Sequence, residues 1–364
     1  MIGILNLVRP DILTLQPYQH AAWEPSLERM HANEMPWRAD EDESGAGLNR
    51  YPEPQPDELI AHLARLYGVA PANVLAGRGS DEGIDLLVRA FCRAGLDSVL
   101  ICPPTFGMYK VSARIQGAGI VEVPLIKERS FALDTDAVLE ACLKDSNIKL
   151  VFLCSPNNPT GNLLDRSSIE RICAELANRA VVVVDEAYIE FAQTESLASQ
   201  LSRYENLVIL RTLSKAYALA GARCGAVLAH PEIIGILARV ITPYALPTHT
   251  IESVLELTNL AHAAQAKDRI AGILAERERL TNQLSSLPAI TRVWRSDSNF
   301  ILVQCVDADQ VLRAANAAGL IIRDPRSNPA LSDCVRISVG TPEQNERLLR
   351  AMSTLAGRAA GDAA

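Results

Sequence analysis

Two nearly uninterrupted apolar runs constrain the fold of this 364-residue chain more than any other feature. They read IKLVFLC, at residues 148–154, and AVVVVDE, at residues 180–186. A continuous apolar run is typical of a strand that is buried on both faces of a parallel sheet. The amphipathic segment SSIERICAELANR lies between the two runs, so their spacing predicts a strand–helix–strand unit.

The same rhythm extends over the middle of the chain. DSVLIC and IVEVPL predict further strands, and GSDEGIDLLVRAFCRAG predicts a helix that has Ser80 as its N-cap and ends at Gly95. We therefore expect a large α/β domain with a mostly parallel central sheet over residues 46–245. Ligands of such domains bind at the carboxyl ends of the strands.

The pattern changes after about residue 245. A long helical segment at residues 248–287 precedes three predicted strands, SNFILVQC, LIIRD and CVRISVG. The last predicted helix has Thr341 as its N-cap, Pro342 at its first position and Gln344 two positions later, close to a capping box. We expect a smaller α+β domain over residues 246–364, with an N-terminal arm, residues 1–45, that packs against it.

Composition argues against several classes of function. The net charge of -8 disfavours binding to nucleic acid, and no apolar run approaches the roughly 18 residues of a membrane helix. The eight cysteines form no CxxC pair and mostly lie in apolar runs, which indicates buried, reduced thiols in a cytoplasmic protein. The start of the chain, MIGILNLVRPDIL, makes a poor signal peptide. We expect no metal site, because the six histidines show no ligand spacing.

Polar residues follow four predicted strands at the points where these strands end. Asn157 and Asn158 follow the first apolar run, Asp185 ends the second, and a glycine-rich turn before Ser80 opens a helix. Lys215 stands shortly after the strand-like NLVIL, together with Thr212 and Ser214. If these strands are parallel neighbours, their ends converge on one crevice.

This set of polar groups suits one kind of ligand. A glycine-rich helix N-terminus, Ser214 and Arg223 suit a phosphate. Asp185 needs a cationic or N–H partner if it is buried, and a protonated pyridine nitrogen is such a partner. Lys215, once it has lost its proton, attacks an aldehyde. Phosphate, pyridinium and aldehyde occur together in pyridoxal 5′-phosphate. Taken singly, each residue also has an ordinary interpretation, such as a solvated lysine or a turn aspartate.

The ordered set SPNNPTG, DEAY and TLSKAYALAGARCG resembles the aminotransferases that use pyridoxal 5′-phosphate and have fold type I. Further segments resemble the histidinol-phosphate aminotransferases among them: PYQHA, ANEMPW, NRYPEPQ, GRGSDEGID, SNFILV and VRISVGTPEQNERLL. The resemblance runs from about Pro17 to Leu349. It implies a cytoplasmic enzyme of L-histidine biosynthesis that interconverts imidazole-acetol phosphate plus L-glutamate and L-histidinol phosphate plus 2-oxoglutarate.

The resemblance also implies roles for single residues. Lys215 would bind the cofactor covalently and move a proton, Asp185 would pair with the pyridine nitrogen, and Tyr109 would stack on the ring. Tyr188 and Asn158 would bind the ring oxygen. The phosphate would be surrounded by Ser80, Asp81, Thr212, Ser214 and Arg223.

Substrate and partner contacts are implied in the same way. Arg336 would hold a carboxylate or phosphate of the substrate, with Arg323 and Tyr18 assisting, and Asn33 would line the substrate pocket. Tyr51 would reach the cofactor phosphate of a neighbouring subunit, which implies a homodimer with shared active sites.

Four alternatives remain open at this point. A decarboxylase of threonine phosphate shares the cofactor and also recognises a phosphate, and an aminotransferase of broader aromatic specificity shares the whole site. A regulator that binds the cofactor without turnover is disfavoured by the intact Lys, Asp, Tyr and Arg set. A nicotinamide oxidoreductase is disfavoured because the GxGxxG fingerprint is missing.

Overall fold

The computed structural model describes residues 3–20, Glu24 and residues 26–355. Within these residues, seven strands form one mixed sheet. Its strands are β1 (Val74–Gly77), β2 (Ser98–Ile101), β3 (Gly119–Glu122), β4 (Ile148–Cys154), β5 (Val181–Asp185), β6 (Leu207–Thr212) and β7 (Gly225–Ala229). The two apolar runs are β4 and β5, which confirms that they are adjacent parallel strands.

The strand order places four strand ends at one edge of the sheet. The order is β1-β7-β6-β5-β4-β2-β3, and the strands from β6 to β3 are parallel. β7 is antiparallel to both β6 and β1, so β1 runs in the same direction as β6. The C-terminal ends of β1, β4, β5 and β6 therefore meet at one edge, as the sequence predicted.

Helices cover both faces of this sheet, which is why its strands are apolar on both sides. The helices are α1 (Pro10–Leu13), α2 (Asp57–Tyr67), α3 (Ser80–Phe91), α4 (Met108–Gln116), α5 (Thr135–Lys144), α6 (Arg166–Glu175), α7 (Pro231–Val240) and α8 (Thr248–Leu257). Buried side chains of α3, α4 and α7 form one core with the sheet, and those of α2, α5, α6 and α8 form another on the opposite face.

Alternation along the strands decides which side chain reaches which face. In β5, Val181 and Val183 pack against α3, α4 and α7, whereas Val182 and Val184 pack on the opposite face. The same alternation directs Asp185 to the face of α3 and α4.

A second, antiparallel sheet follows in the chain. Its order is β10-β9-β8, with β8 (Ile290–Val293), β9 (Phe300–Cys305) and β10 (Cys334–Ser338). It packs with α9 (Leu260–Ser285), α10 (Ala308–Ala317) and α11 (Pro342–Ser353) around a core of its own. The predicted capping box at Thr341 and Gln344 is confirmed at the start of α11. The boundaries predicted for the domains remain a prediction.

Several local predictions were wrong. Gly79, not Ser80, is the N-cap of α3, and this helix ends at Phe91 rather than at Gly95. The segment LIIRD forms no strand but contributes one isolated bridge, between Arg323 and Arg336. The segment at residues 248–287 is two helices, because Asn259 caps a new helix there.

The first residues of the N-terminal arm also pack in a different place from the one predicted. Ile4, Leu7 and Val8 are buried in the core formed with α3 and α7 of the large sheet, not against the three-stranded sheet. Arg9 donates a backbone hydrogen bond to the carbonyl of Ala90 at 3.0 Å. Apolar side chains of the arm thus complete the core of the large sheet.

All eight cysteine side chains are buried, as predicted. None of the helices in the described part of the chain is long and apolar enough to span a membrane.

Candidate active site

A cavity of about 640 Å³ opens where β1, β4, β5 and β6 end. Most side chains predicted for the site line this one cavity. They are Ser80, Asp81, Asn158, Asp185, Tyr188, Thr212, Ser214, Lys215, Arg223, Arg323 and Arg336. The topology brings them together from segments that are far apart in the sequence.

Lys215 carries the amine of this cavity. It follows β6 and its Nζ lies 5.8 Å from the centroid of the Tyr188 ring. Desolvation lowers the pKa of Lys215, and the positive charges of Arg336 and Arg223 lower it further. An amine in such surroundings gives up its proton more readily than a solvated lysine does, which is what a nucleophile requires.

Asp185 is the buried carboxylate of the cavity. Burial raises the pKa of Asp185 to about 6, although hydrogen bonds oppose this shift. The hydroxyl of Tyr109 donates to Asp185 Oδ2 at 2.7 Å, and the backbone N–H of Ala187 donates to Oδ1 at 3.1 Å. A cation placed against Asp185 in the cavity would stabilise its ionised form.

The N-terminus of α3 forms an anion-binding corner. Its N-cap, Gly79, has φ +87 and no side chain to occupy the free N–H groups of the first turn. Gly225 is required opposite, because a Cβ there would lie 2.7 Å from the backbone nitrogen of Ser80. Arg223 approaches the same turn, with its Nη2 at 3.5 Å from Asp81 Oδ2.

Arg336 provides a second cationic position. It extends from β10, donates a hydrogen bond to Asn158 Oδ1 and lies 4.9 Å over the Phe300 ring. Its Nε is buried and has no hydrogen-bond partner among the described residues. Burial also lowers the pKa of Arg336. A buried N–H group of a guanidinium that lacks a hydrogen-bond partner is costly, so this position suits an anionic ligand group.

Tyr109 is absent from the lining of this cavity, a position that does not fit the predicted stacking on the cofactor ring. Its side chain is fully buried behind the cavity wall, where its ring stacks on Phe152 with the centroids 4.8 Å apart. The aromatic residue of the PPTFGMY segment that lines the cavity is Phe106. Phe106 was not among the predicted site residues, although it precedes Tyr109 by three positions in that segment.

Besides Tyr109, three predicted residues lie outside the cavity lining of this chain, namely Tyr18, Asn33 and Tyr51. Tyr51 stacks on Tyr244, with the ring centroids 4.6 Å apart. Tyr51 was predicted to serve a neighbouring subunit, and the roles of all three residues remain predictions.

The residues of the cavity fit pyridoxal 5′-phosphate. The corner at α3 and Arg223 suits its phosphate, buried Asp185 suits its pyridinium nitrogen, and Lys215 suits its aldehyde. The orphaned Nε of Arg336 leaves a cationic position for a substrate anion.

Comparisons with known proteins agree with this geometry. The family model of class I and II aminotransferases matches residues 27–352. A histidinol-phosphate aminotransferase from Stenotrophomonas maltophilia is 48% identical over 353 residues, which cover 96% of each chain.

Solved structures resemble the chain over a similar extent. The crystal structure of histidinol-phosphate aminotransferase from Sinorhizobium meliloti in complex with pyridoxal-5′-phosphate matches with a TM-score of 0.76 and 26% identity, over 84% of this chain and 83% of that one. L-threonine-O-3-phosphate decarboxylase from Porphyromonas gingivalis matches with a TM-score of 0.71 and 26% identity, over 84% of this chain and 90% of that one. The chain therefore belongs to the class I and II aminotransferases, which use pyridoxal 5′-phosphate, and within them to the histidinol-phosphate aminotransferases.

Proposed function

We propose that the protein transfers the amino group of L-glutamate to imidazole-acetol phosphate, which gives 2-oxoglutarate and L-histidinol phosphate. The reaction is reversible and runs in two half-reactions at one site. The observation that carries the proposal is the single cavity in which the amine of Lys215 and the buried carboxylate of Asp185 occur with two separate cationic positions.

The first cationic position, at the N-terminus of α3 and Arg223, would hold the cofactor phosphate. Thr212 and Ser214 support this assignment, because their hydroxyls lie 3.0 Å apart at the end of β6, beside the same corner of the cavity. Asn158 and Tyr188 would orient the ring through its oxygen; Asn158 Nδ2 lies 3.5 Å from the Tyr188 hydroxyl. When bound, the cofactor supplies an electron sink for the substrate carbon that loses its proton.

Lys215 would move that proton between the substrate carbon and the cofactor carbon. Its lowered pKa supports this role, since a general base needs to be unprotonated for part of the cycle. Asp185 would keep the pyridine nitrogen protonated as long as its own carboxyl is ionised.

The second cationic position would bind the two substrates in turn. A guanidinium binds a carboxylate and a phosphate equally well through two parallel hydrogen bonds. Arg336 would bind the carboxylate of glutamate or the phosphate of the imidazole substrate, and Arg323, joined to it by a backbone bridge, would assist.

A two-stage absorbance experiment tests this function. Glutamate is added to the protein loaded with cofactor, and the visible absorption of the bound cofactor is expected to fall. After glutamate is removed, imidazole-acetol phosphate is expected to restore the band with a higher kcat/KM than aromatic or aliphatic oxo acids. The Lys215→Ala variant is the control and should show neither change. Faster recovery with an oxo acid that lacks a phosphate would contradict the assignment.

A threonine-phosphate decarboxylase is the second candidate, because a structure of that activity resembles the chain over 84% of its length. The 48% identity to a histidinol-phosphate aminotransferase favours the first candidate. Release of carbon dioxide from threonine phosphate, without recovery of the absorption band by oxo acids, would favour the decarboxylase.

We also propose a homodimer with shared sites. Exposed large apolar side chains concentrate between residues 13 and 51, where Met30 is 96% and Trp37 75% exposed. A contiguous exposed apolar patch is typical of a surface that a partner covers, and we propose that these side chains contribute to one.

Mixing two inactive variants tests the shared sites. If Tyr51 serves the partner's site, co-expression of Lys215→Ala with Tyr51→Ala gives mixed dimers in which one site has both residues intact. We expect activity above that of either parent, and a particle of twice the chain mass by sedimentation. A monomer, or no recovery of activity on mixing, would rule out shared sites.

A further inference from the structure

Tyr109 is held in place by aromatic packing on both sides. Its ring stacks on Phe152, with an angle of 9° between the ring planes, and Phe106 meets it edge-on at 5.6 Å. The side chain is fully buried, so its hydroxyl has few accessible partners. The partner it takes is Asp185 Oδ2, at 2.7 Å.

This hydrogen bond is one of two that the side-chain carboxylate of Asp185 accepts within the described residues. The other comes from the backbone N–H of Ala187. A buried carboxylate with two donors depends strongly on each, because an ionised group in a desolvated site needs compensation. Burial raises the pKa of Asp185 to about 6, and the Tyr109 hydrogen bond is the largest effect that lowers it.

Other ionisable groups near Asp185 act on it only through space. Lys215 lowers its pKa and Asp81, on α3, raises it. Cys154, on β4, has its thiol 3.4 Å from the carbonyl of Pro156, and Tyr188 has its hydroxyl beside Asn158. None of these four groups is hydrogen-bonded to the Asp185 carboxylate in the described part of the chain, whereas the Tyr109 hydroxyl is.

We propose that Tyr109 is a positioning residue whose hydroxyl keeps Asp185 ionised and directs its carboxylate into the cavity, towards the place of the pyridinium nitrogen. Tyr109 acts through Asp185 and does not touch the cofactor. The proposal rests on the proposed function, because it assigns Asp185 to the ring nitrogen.

Deleting the hydroxyl alone tests the proposal. Tyr109→Phe keeps the ring stacking and removes one donor from Asp185. The matched control is Tyr67→Phe, since Tyr67 is also buried and its hydroxyl has no partner in the described part of the chain. Binding of pyridoxal 5′-phosphate to each apoprotein is titrated by absorbance between pH 5.5 and 9, together with kcat and KM.

The expected result is a pH-dependent defect. A lost hydrogen bond to a charged group corresponds to about a tenfold change in the ionisation equilibrium of Asp185. Tyr109→Phe should therefore bind the cofactor nearly tenfold more weakly at about pH 5.5 but only about twofold more weakly at about pH 7, and lose activity in kcat more than in KM. Without the donor the pKa of Asp185 rises, so the acid limb of the binding profile should move up by about one pH unit. At pH 9 the carboxyl is ionised in both proteins, and the defect should shrink.

The outcomes separate the two proposals. If the wild type binds the cofactor and Tyr109→Phe has the same cofactor affinity as Tyr67→Phe at every pH, the proposed role of Tyr109 is wrong. The proposed function then still stands. A uniform loss with an unmoved acid limb also overturns the role, because a packing defect has that signature. If the wild type itself binds no cofactor, the proposed function fails. Tyr109→Met, which also lacks the hydroxyl, repeats the test should the Phe variant fold poorly.

Discussion

At the scale of single residues, the surroundings in the cavity bring the pKa values of Asp185 and Lys215 closer together. Burial raises the pKa of Asp185 to about 6, while desolvation and the neighbouring Arg336 lower that of Lys215. Two titratable groups whose environments move them towards neutral pH are typical of an active site. Burial of these two groups in the cavity therefore favours proton transfer near neutral pH.

Phe106 gives a prediction at this scale. Phe106→Leu removes the aromatic face that lines the cavity, and stacking of aromatic rings contributes about 1 kcal/mol beyond the buried area. We expect roughly fivefold weaker binding of pyridoxal 5′-phosphate, measured by absorbance titration of the apoprotein. Val111→Ala is the control, because it removes apolar atoms from the same wall without removing a ring. Equal affinities of wild type and Phe106→Leu would exclude stacking by Phe106.

Most residues of the cavity were predicted from the sequence. The failure to distinguish Phe106 from Tyr109 has a clear cause. Residues at the ends of buried strands converge in any parallel sheet, so Asp185, Thr212 and Lys215 were found from strand pattern and order. Phe106 and Tyr109 are three positions apart, on a loop and the first turn of α4. Which of them faces the cavity depends on how that loop enters the helix, and no local pattern encodes this.

At the scale of elements, a buried charge network joins the ends of β5 and β6 on the face opposite the cavity. Arg211 Nη2 lies 2.7 Å from Glu190 Oε1, and Nη1 lies 3.5 Å from Glu186 Oε2. Its guanidinium also lies 4.6 Å over the ring of Tyr67. Glu186 directly follows Asp185 and Arg211 directly precedes Thr212, so this network fixes the strand ends that carry the cavity residues.

The network gives a stability prediction. Arg211→Met leaves two carboxylates buried without their cation, which costs about 3–5 kcal/mol. The matched control is Arg171→Met, because Arg171 also has two acidic partners but is half exposed, and such a pair contributes about 1 kcal/mol or less. Urea unfolding measures both variants. A loss for Arg211→Met no larger than that for Arg171→Met would show that the network is not needed for stability.

Elements with strong local signals were predicted well, and those defined by tertiary contacts were not. The uninterrupted runs at β4 and β5 and the capping box of α11 have signals within their own residues. LIIRD is apolar enough for a strand, but its pairing with β10 is a single bridge at Arg323. Whether a short apolar segment pairs along its length is decided by its neighbours in space.

At the scale of the whole molecule, the cavity needs both sheets. The large sheet supplies Asp185 and Lys215, and β10 of the second sheet supplies Arg336. Phe300, on β9, meets Tyr188 edge-on at 5.2 Å, which brings the two sheets into contact beside the cavity. With the proposed roles, the substrate anion would bind at Arg336, on a different sheet from the residues proposed to hold the cofactor. A composite site of this kind was predictable only through the ordered set of motifs.

The account depends on one amine, that of Lys215, as the point where the chain binds its cofactor. The most direct measurement is reduction of the protein loaded with pyridoxal 5′-phosphate by borohydride, which makes the bond to the amine permanent, followed by mass spectrometry of its peptides. We expect the added mass on the peptide that contains Lys215, and none there in Lys215→Ala. A modified peptide elsewhere in the chain, or an unmodified Lys215 in fully loaded protein, would contradict the account.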